Sequence, residues 1–362
     1  MTYENQKGRS KMKKFTLIIF SYLFIGNSFA QGPVFSGYIE STYNYNFSGG
    51  MTNSLRSYDY KTNQILLNNF HLVASGSPSE KVSYVAELDL GTDATVHGLL
   101  NQGIFSSNSP IGVDIQEAYI TYAFSDQFKF TGGRFVTFEG IEVIEGPNNP
   151  TISRGYLYGL AEPYTHVGGY FNFIPSYEID IKLGVVNGWD LLVDNNMDKT
   201  IISRFGVNLG DPLAFGISFL TGVEQVNSEN WRNSLDLTGV TKAIAGVALN
   251  FQINYGTETF TDTSGTDTDT KWFGFTLQPV IAISQMLDLG LRAEYFADDQ
   301  GARTGIPNLN AFNISVVPII KYDGFTFRFE YRFDNSNKEV FVEENGTAKT
   351  SSTVSLGVSC ML

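Results

Sequence analysis

Residues 325–334 read F-T-F-R-F-E-Y-R-F-D. Every second side chain is aromatic, and every side chain between is polar or charged. A strand has a side-chain period of two, so Thr326, Arg328, Glu330, Arg332 and Asp334 share one face and the aromatic rings share the other. In a water-soluble sheet the aromatic face would be a core. Here the alternation recurs along almost the whole chain, and the polar face is often ionic. That combination predicts a barrel with lipid outside and water inside.

Strands are expected near 34–47, 62–75, 80–90, 113–124, 127–139, 163–174, 176–189 and 198–209. Further strands are expected near 211–222, 232–241, 243–256, 271–284, 286–297, 309–321, 323–334 and 351–362. The fold class is therefore all-β: a transmembrane, up-and-down antiparallel β-barrel of about sixteen strands, an even number as single-chain bacterial barrels require. The connections sort into two kinds. Short ones carry turn residues, as in Ser77-Pro78-Ser79, Gly210-Asp211-Pro212 and Asp323-Gly324. Long ones, at 48–61, 91–112, 140–162, 190–197, 223–231, 257–270, 298–308 and 335–350, lie between them. Short periplasmic turns alternating with long extracellular loops would produce this order.

Several strands have clean dyads. Tyr177, Ile179, Ile181, Leu183 and Val185 alternate with Glu178, Asp180, Lys182 and Gly184, and Leu287, Leu289, Leu291 and Tyr295 alternate with Asp288, Arg292 and Glu294. A charge facing mid-bilayer lipid costs about 2–4 kcal/mol, so the ionic members are expected in the lumen. The lumen wall is predicted to include Arg204, Arg292, Arg328, Glu330 and Arg332. The span 127–139 breaks the rule, because Phe128 and Phe130 share a face with Arg134; a bulge at Gly132-Gly133 would turn Arg134 inward.

Mean hydropathy is only -0.08, as for a soluble protein. No apolar run after residue 30 is long enough for a membrane-spanning helix. Barrels escape hydropathy because only alternate residues meet lipid. The 29 Phe, 19 Tyr and 36 Gly fit aromatic girdles and glycine-rich strands. Residues 1–30 read as a secretion signal: a basic start at Lys11, Lys13 and Lys14, an apolar stretch from Phe15 to Ile25, and the ending Ser28-Phe29-Ala30. Met12 is the better start. Residues 31–362 are expected to form a single barrel domain. The leader carries five basic and one acidic residue, so its removal takes the net charge from -13 to -17. An acidic mature chain argues against nucleic acid as a partner and against a polybasic route to a membrane surface. The lone Cys360 excludes an intrachain disulfide.

The segment 140–162 is the most unusual. A solvated loop has no need of Ile141, Val143, Ile144, Tyr156, Leu157, Tyr158 and Leu160. It is expected to fold into the barrel and narrow the pore. Its Glu142, Glu145 and Glu162, with Glu139 beside them, would face Arg154, Arg134 and the wall arginines, and opposed charges across a constriction select solutes by size and charge. The Thr- and Asp-rich stretch 257–270 lacks the glycine and terminal glutamate of an EF-hand and reads as a solvated outer loop. His71, His97 and His166 show no His-x-x-His or His-Glu-x-x-His spacing, so no zinc motif is present, and no spacing supports a serine–histidine catalytic group around Ser153 or His166.

The segments E-V-I-E-G-P-N-N-P-T-I-S-R-G-Y-L-Y (142–158), P-Y-T-H-V-G (163–168), L-G-V-V-N-G-W-D (183–190), D-N-N-M-D-K (194–199) and R-A-E-Y-F-A-D-D-Q-G-A-R-T-G (292–305) resemble the OmpL-like beta-barrel porin family. The resemblance covers nearly all of the mature chain. It implies an outer-membrane barrel of porin type with no enzymatic activity, and it supplies neither a substrate nor catalytic residues. One departure is the C-terminus: Cys360 and Leu362 stand where such barrels carry the aromatic residue read by the barrel-assembly machinery. The chain is thus expected to be a porin of the Gram-negative outer membrane, passing small hydrophilic solutes without a cofactor. Lipid and lipopolysaccharide would surround it, and homo-oligomerisation stays open. A non-conducting barrel whose long loops act as receptor or adhesin is the alternative.

Overall fold

The computed structural model describes residues 32–100, 112–210, 212–226, 228–261 and 264–362. The expected leader at 1–30 lies outside them. The strands in chain order are β1 (Val34–Asn46), β2 (Gln64–Ser79), β3 (Val82–Gly91), β4 (Gly112–Ala123), β5 (Phe128–Val136), β6 (Thr165–Ser176), β7 (Ile179–Val186), β8 (Thr200–Asn208) and β9 (Ala214–Val223). They continue as β10 (Trp231–Thr241), β11 (Val247–Thr261), β12 (Asp267–Ala282), β13 (Leu287–Asp299), β14 (Leu309–Tyr322), β15 (Phe325–Ser336), β16 (Phe341–Glu343), β17 (Gly346–Ala348) and β18 (Thr350–Met361). Sixteen of these, β1 to β15 and β18, close into one antiparallel barrel in which each strand pairs with its chain neighbours and β18 pairs with β1. Closure leaves no open edge, which is the condition for a sheet in lipid.

The dyads face as their chemistry requires. On β15, Arg328, Glu330, Arg332 and Asp334 are buried, while Phe325, Phe329 and Tyr331 lie on the exposed outer surface. On β7, Ile181, Leu183 and Val185 are likewise exposed outward. The β14–β15 turn shows local chemistry setting register. Asp323 and Gly324 both take positive φ, +48° and +83°, as a two-residue turn matched to strand twist needs, and Tyr322 then pairs with Phe325.

Three details differ from expectation. The stretch 257–270 is mostly strand: the β11–β12 ladder runs out to Thr261 opposite Asp267, and Thr259 Oγ1 donates to Asp269 Oδ1 at 2.8 Å. Threonine's branched side chain suits a pleated surface even when its neighbours are acidic. Second, pairing on both sides of β5 continues unbroken through Gly132 and Gly133, so the expected bulge is not there. The register shift falls in the adjacent β3–β4 pair, between Glu87 and Leu88, and Gly133 takes φ +137°. Arg134 is buried all the same, with Nη1 and Nη2 at 2.8 and 3.1 Å from the carboxylate of Asp114. Third, two long connections carry structure: helix α1 (Asp93–Leu100) follows β3, and the β16–β17 hairpin follows β15.

Candidate functional site: the β5–β6 segment and the lumen wall

An irregular segment inside a barrel must find partners for its backbone N–H and C=O groups, because strand-like pairing is not available to it. Residues 137–164, between β5 and β6, find them on the inward faces of distant strands. Glu330 of β15 accepts from the amides of Ile152 and Ser153 at 2.7 and 2.8 Å and from Ser153 Oγ at 2.6 Å. Glu294 of β13 accepts from the amides of Tyr156 and Leu157 at 2.6 and 2.9 Å. Arg328 of β15 donates to the carbonyls of Gly146, Asn149 and Thr151 at 2.7, 3.0 and 3.1 Å, and also pairs with Glu40 of β1. Further along, Ser234 Oγ of β10 donates to Glu139, Asp236 of β10 accepts from the amide of Gly140, and Gln252 of β11 donates to Glu162. The segment is therefore tied to β10, β11, β13 and β15 at once.

The expected site residues divide in this setting. Glu142 is brought to Arg292 of β13 at 3.0 Å, and it also accepts from Gln278 at 2.8 Å and from the amide of Gly155 at 2.6 Å. Arg292 reaches Glu330 at 3.6 Å as well, and Arg332 pairs with Asp334 at 2.8 Å. Arg204 of β8 pairs with Asp180 of β7 at 2.9 Å. Among the described residues, Arg154 forms no ion pair with a carboxylate. It is sealed within its own segment, donating to the carbonyls of Val143, Ile144 and Ile152, with its guanidinium over the rings of Tyr58 and Tyr158. Glu145 remains half-buried beside Gln116 of β4, whose Nε2 donates to it at 2.5 Å. Glu162 and Glu139 are buried close to Asp236. Burial first, and then the charge of Asp236, push both carboxyl groups above the ordinary glutamate range.

Asp236 and Gln252, which sequence reasoning did not single out, bond the segment directly, and Glu40, likewise not singled out, pairs with the Arg328 that does. Their only signal was membership of a polar dyad face. The apolar residues of the segment pack with the wall: Tyr156, Leu157 and Ala161 cluster with Phe135, Val186, Trp189, Ile202, Leu220, Trp272, Phe296 and Ala311.

A closed sixteen-strand barrel with an apolar outer surface and an ionic interior is the architecture of an outer-membrane porin. The family described as "Putative beta-barrel porin-2, OmpL-like" matches residues 34–362, and the chain belongs to that family of integral outer-membrane proteins. No curated protein sequence matches it. Among solved structures, the fold is similar to the anion-selective porin from Comamonas acidovorans (TM-score 0.65, 9% identity, 91% of this chain and 99% of that one). It is also similar to the outer membrane channel DcaP of Acinetobacter baumannii (TM-score 0.64, 11% identity, 91% and 97%). The trimer form of OmpT of Vibrio cholerae resembles it at TM-score 0.62, 11% identity, and 92% and 100% coverage.

Proposed function

We propose that this protein is a passive, weakly selective porin for small hydrophilic solutes or ions, with residues 140–162 as its constriction. The observation that carries this reading is the anchoring of that segment to the lumen wall of a sixteen-strand barrel through Glu294, Arg328 and Glu330. A ring of this size is wide enough to leave an aqueous channel unless something narrows it. Glu142, Glu145, Arg154, Glu162 and Arg134 shape the narrow region in two ways. Arg154 holds the fold of the segment, and the carboxylates set its charge. Most wall arginines are matched by a carboxylate: Arg292 by Glu142, Arg328 by Glu40, Arg332 by Asp334 and Arg204 by Asp180. Paired charges leave little net field, which favours weak over strong selectivity. The reading assigns no enzymatic step. OmpT of Vibrio cholerae has a trimer form, and a homo-oligomer is part of the proposal, tested by the mass of the complex in mild detergent.

Single-channel conductance of the refolded mature chain in a planar bilayer tests the whole. Stable steps are expected, with a reversal potential near zero in a salt gradient. The apolar cluster around Tyr156, Trp189 and Trp272 favours a second reading, a closed barrel acting through its outer loops as receptor or adhesin. Silence from protein shown to be folded by heat-shift electrophoresis would select it.

A further inference from the structure

On the barrel wall, β2, β3 and the β5–β6 segment bring three ligating side chains together. His71 of β2, Glu87 of β3 and Glu145 of the segment place one ligand atom each within 4.8 Å of one another. His71 is directly opposite Asp89 across the β2–β3 ladder, and Glu87 is its diagonal neighbour on the same face. Asp89, fully buried, lies 2.6 Å from His71 Nδ1. A carboxylate at that nitrogen fixes the proton there and leaves the Nε2 lone pair for a ligand, the outer-shell arrangement found behind metal-bound histidines. Nε2 stands 3.8 Å from Glu87 Oε2, too far for a hydrogen bond. Two ligands on a tetrahedral ion with bonds near 2.1 Å are separated by about 3.4 Å, so only a small adjustment would close the site.

A second observation points the same way. The register shift at Glu87/Leu88 makes Gln116 the extra residue on β4, so consecutive side chains, Gln116 and Glu117, are both buried. The Gln116 side chain is 0% exposed and reaches into the cluster, its Nε2 donating to Glu87 at 3.1 Å and to Glu145 at 2.5 Å. Its Oε1 is buried without a hydrogen-bond partner. Among the described residues, neither Glu87 nor Glu145 forms an ion pair with a lysine or arginine. Crowded carboxylates in a low-dielectric wall call for a cation.

We propose that His71, Glu87 and Glu145, with the amide oxygen of Gln116 as a fourth donor after rotation of that amide, bind one divalent transition-metal ion. Mixed imidazole and carboxylate donors suit zinc and its neighbours rather than calcium or magnesium, which take oxygen alone. The ion would clip the segment to β2 and β3, on the side of the barrel opposite its anchors on β10 and β11. The ligands come from separate strands and the β5–β6 segment, which is why no short motif marks them.

The test is Zn2+ alone, titrated by calorimetry into the refolded, chelator-stripped full chain in detergent. One ion per chain is expected, with affinity reduced at least tenfold in both His71→Ala and Glu145→Gln, each verified as folded by heat-shift electrophoresis. Glu145 lies outside the barrel ladder, so its variant decides the matter if His71→Ala fails to fold. No stoichiometric binding, or unchanged affinity in folded Glu145→Gln, overturns the site. Binding does not require conduction, so a silent barrel that binds Zn2+ counts against the porin reading and not against the metal site.

Discussion

At the scale of single residues, the lumen is governed by matched charge and by close approach. Arg292 holds Glu142 at 3.0 Å and Glu330 at 3.6 Å, with all three side chains buried. Arg292→Met keeps the volume and strands both carboxylates, and breaking a buried pair from one side costs about 3–5 kcal/mol. The urea unfolding midpoint is expected to fall accordingly, and an unchanged midpoint would show that water already shares those charges. Gly256 illustrates the steric side. A Cβ there would lie 1.9 Å from Cζ2 of Trp272, whose indole N–H donates to Asn254 at 2.9 Å. Gly256→Ala should expel the ring at a cost of about 1–3 kcal/mol. The emission of Trp272, measured with the other two tryptophans replaced by phenylalanine, should shift to the red.

At the scale of elements, the stability of the β5–β6 segment should follow pH. Glu139 and Glu162 are raised above the ordinary value of 4.5 by burial and by Asp236. Raised carboxyl groups keep their protons in the folded chain where the unfolded chain has released them. Their stabilising contribution is complete below pH 4.5 and is lost as pH rises towards the folded-state values. Asp190, in the β7–β8 connection, is pushed up to about 6 by burial and adds the same sign between its ordinary 3.8 and that value. Unfolding midpoints should therefore decline from pH 5 towards pH 8, and Asp236→Asn should flatten the decline. A steeper decline in that variant would mean that Asp236 supports these acids instead of opposing them. The strands themselves were legible as elements because each carries its own dyad and turn. The ladder beyond Thr257 was not, because acidic and threonine-rich sequence reads as loop until a partner strand is present to pair with it.

At the scale of the molecule, the proposed constriction at 140–162 makes a prediction about what the barrel passes. Deleting residues 143–158 removes Arg154, Tyr156 and Leu157 together with the amides bound by Glu330 and Glu294. The deletion should raise single-channel conductance several-fold, measured on protein that still shows the heat shift of a closed barrel. Unchanged conductance would remove the segment from the pathway. The sequence by itself determined the class of fold, the strand number, the alternation of short and long connections and the inward face of Arg292, Arg328, Glu330 and Arg332. These follow from a period of two read against lipid and water, and that information is local. Only the tertiary structure decided which charges meet: that Glu142 reaches Arg292 150 residues away, that Arg154 closes on its own segment, and that His71, Glu87 and Glu145 converge. Dyad patterning states which face a side chain takes and not which strand stands across the lumen from it. That second relation is set by barrel closure and by the path of one irregular segment, neither of which has a local signature.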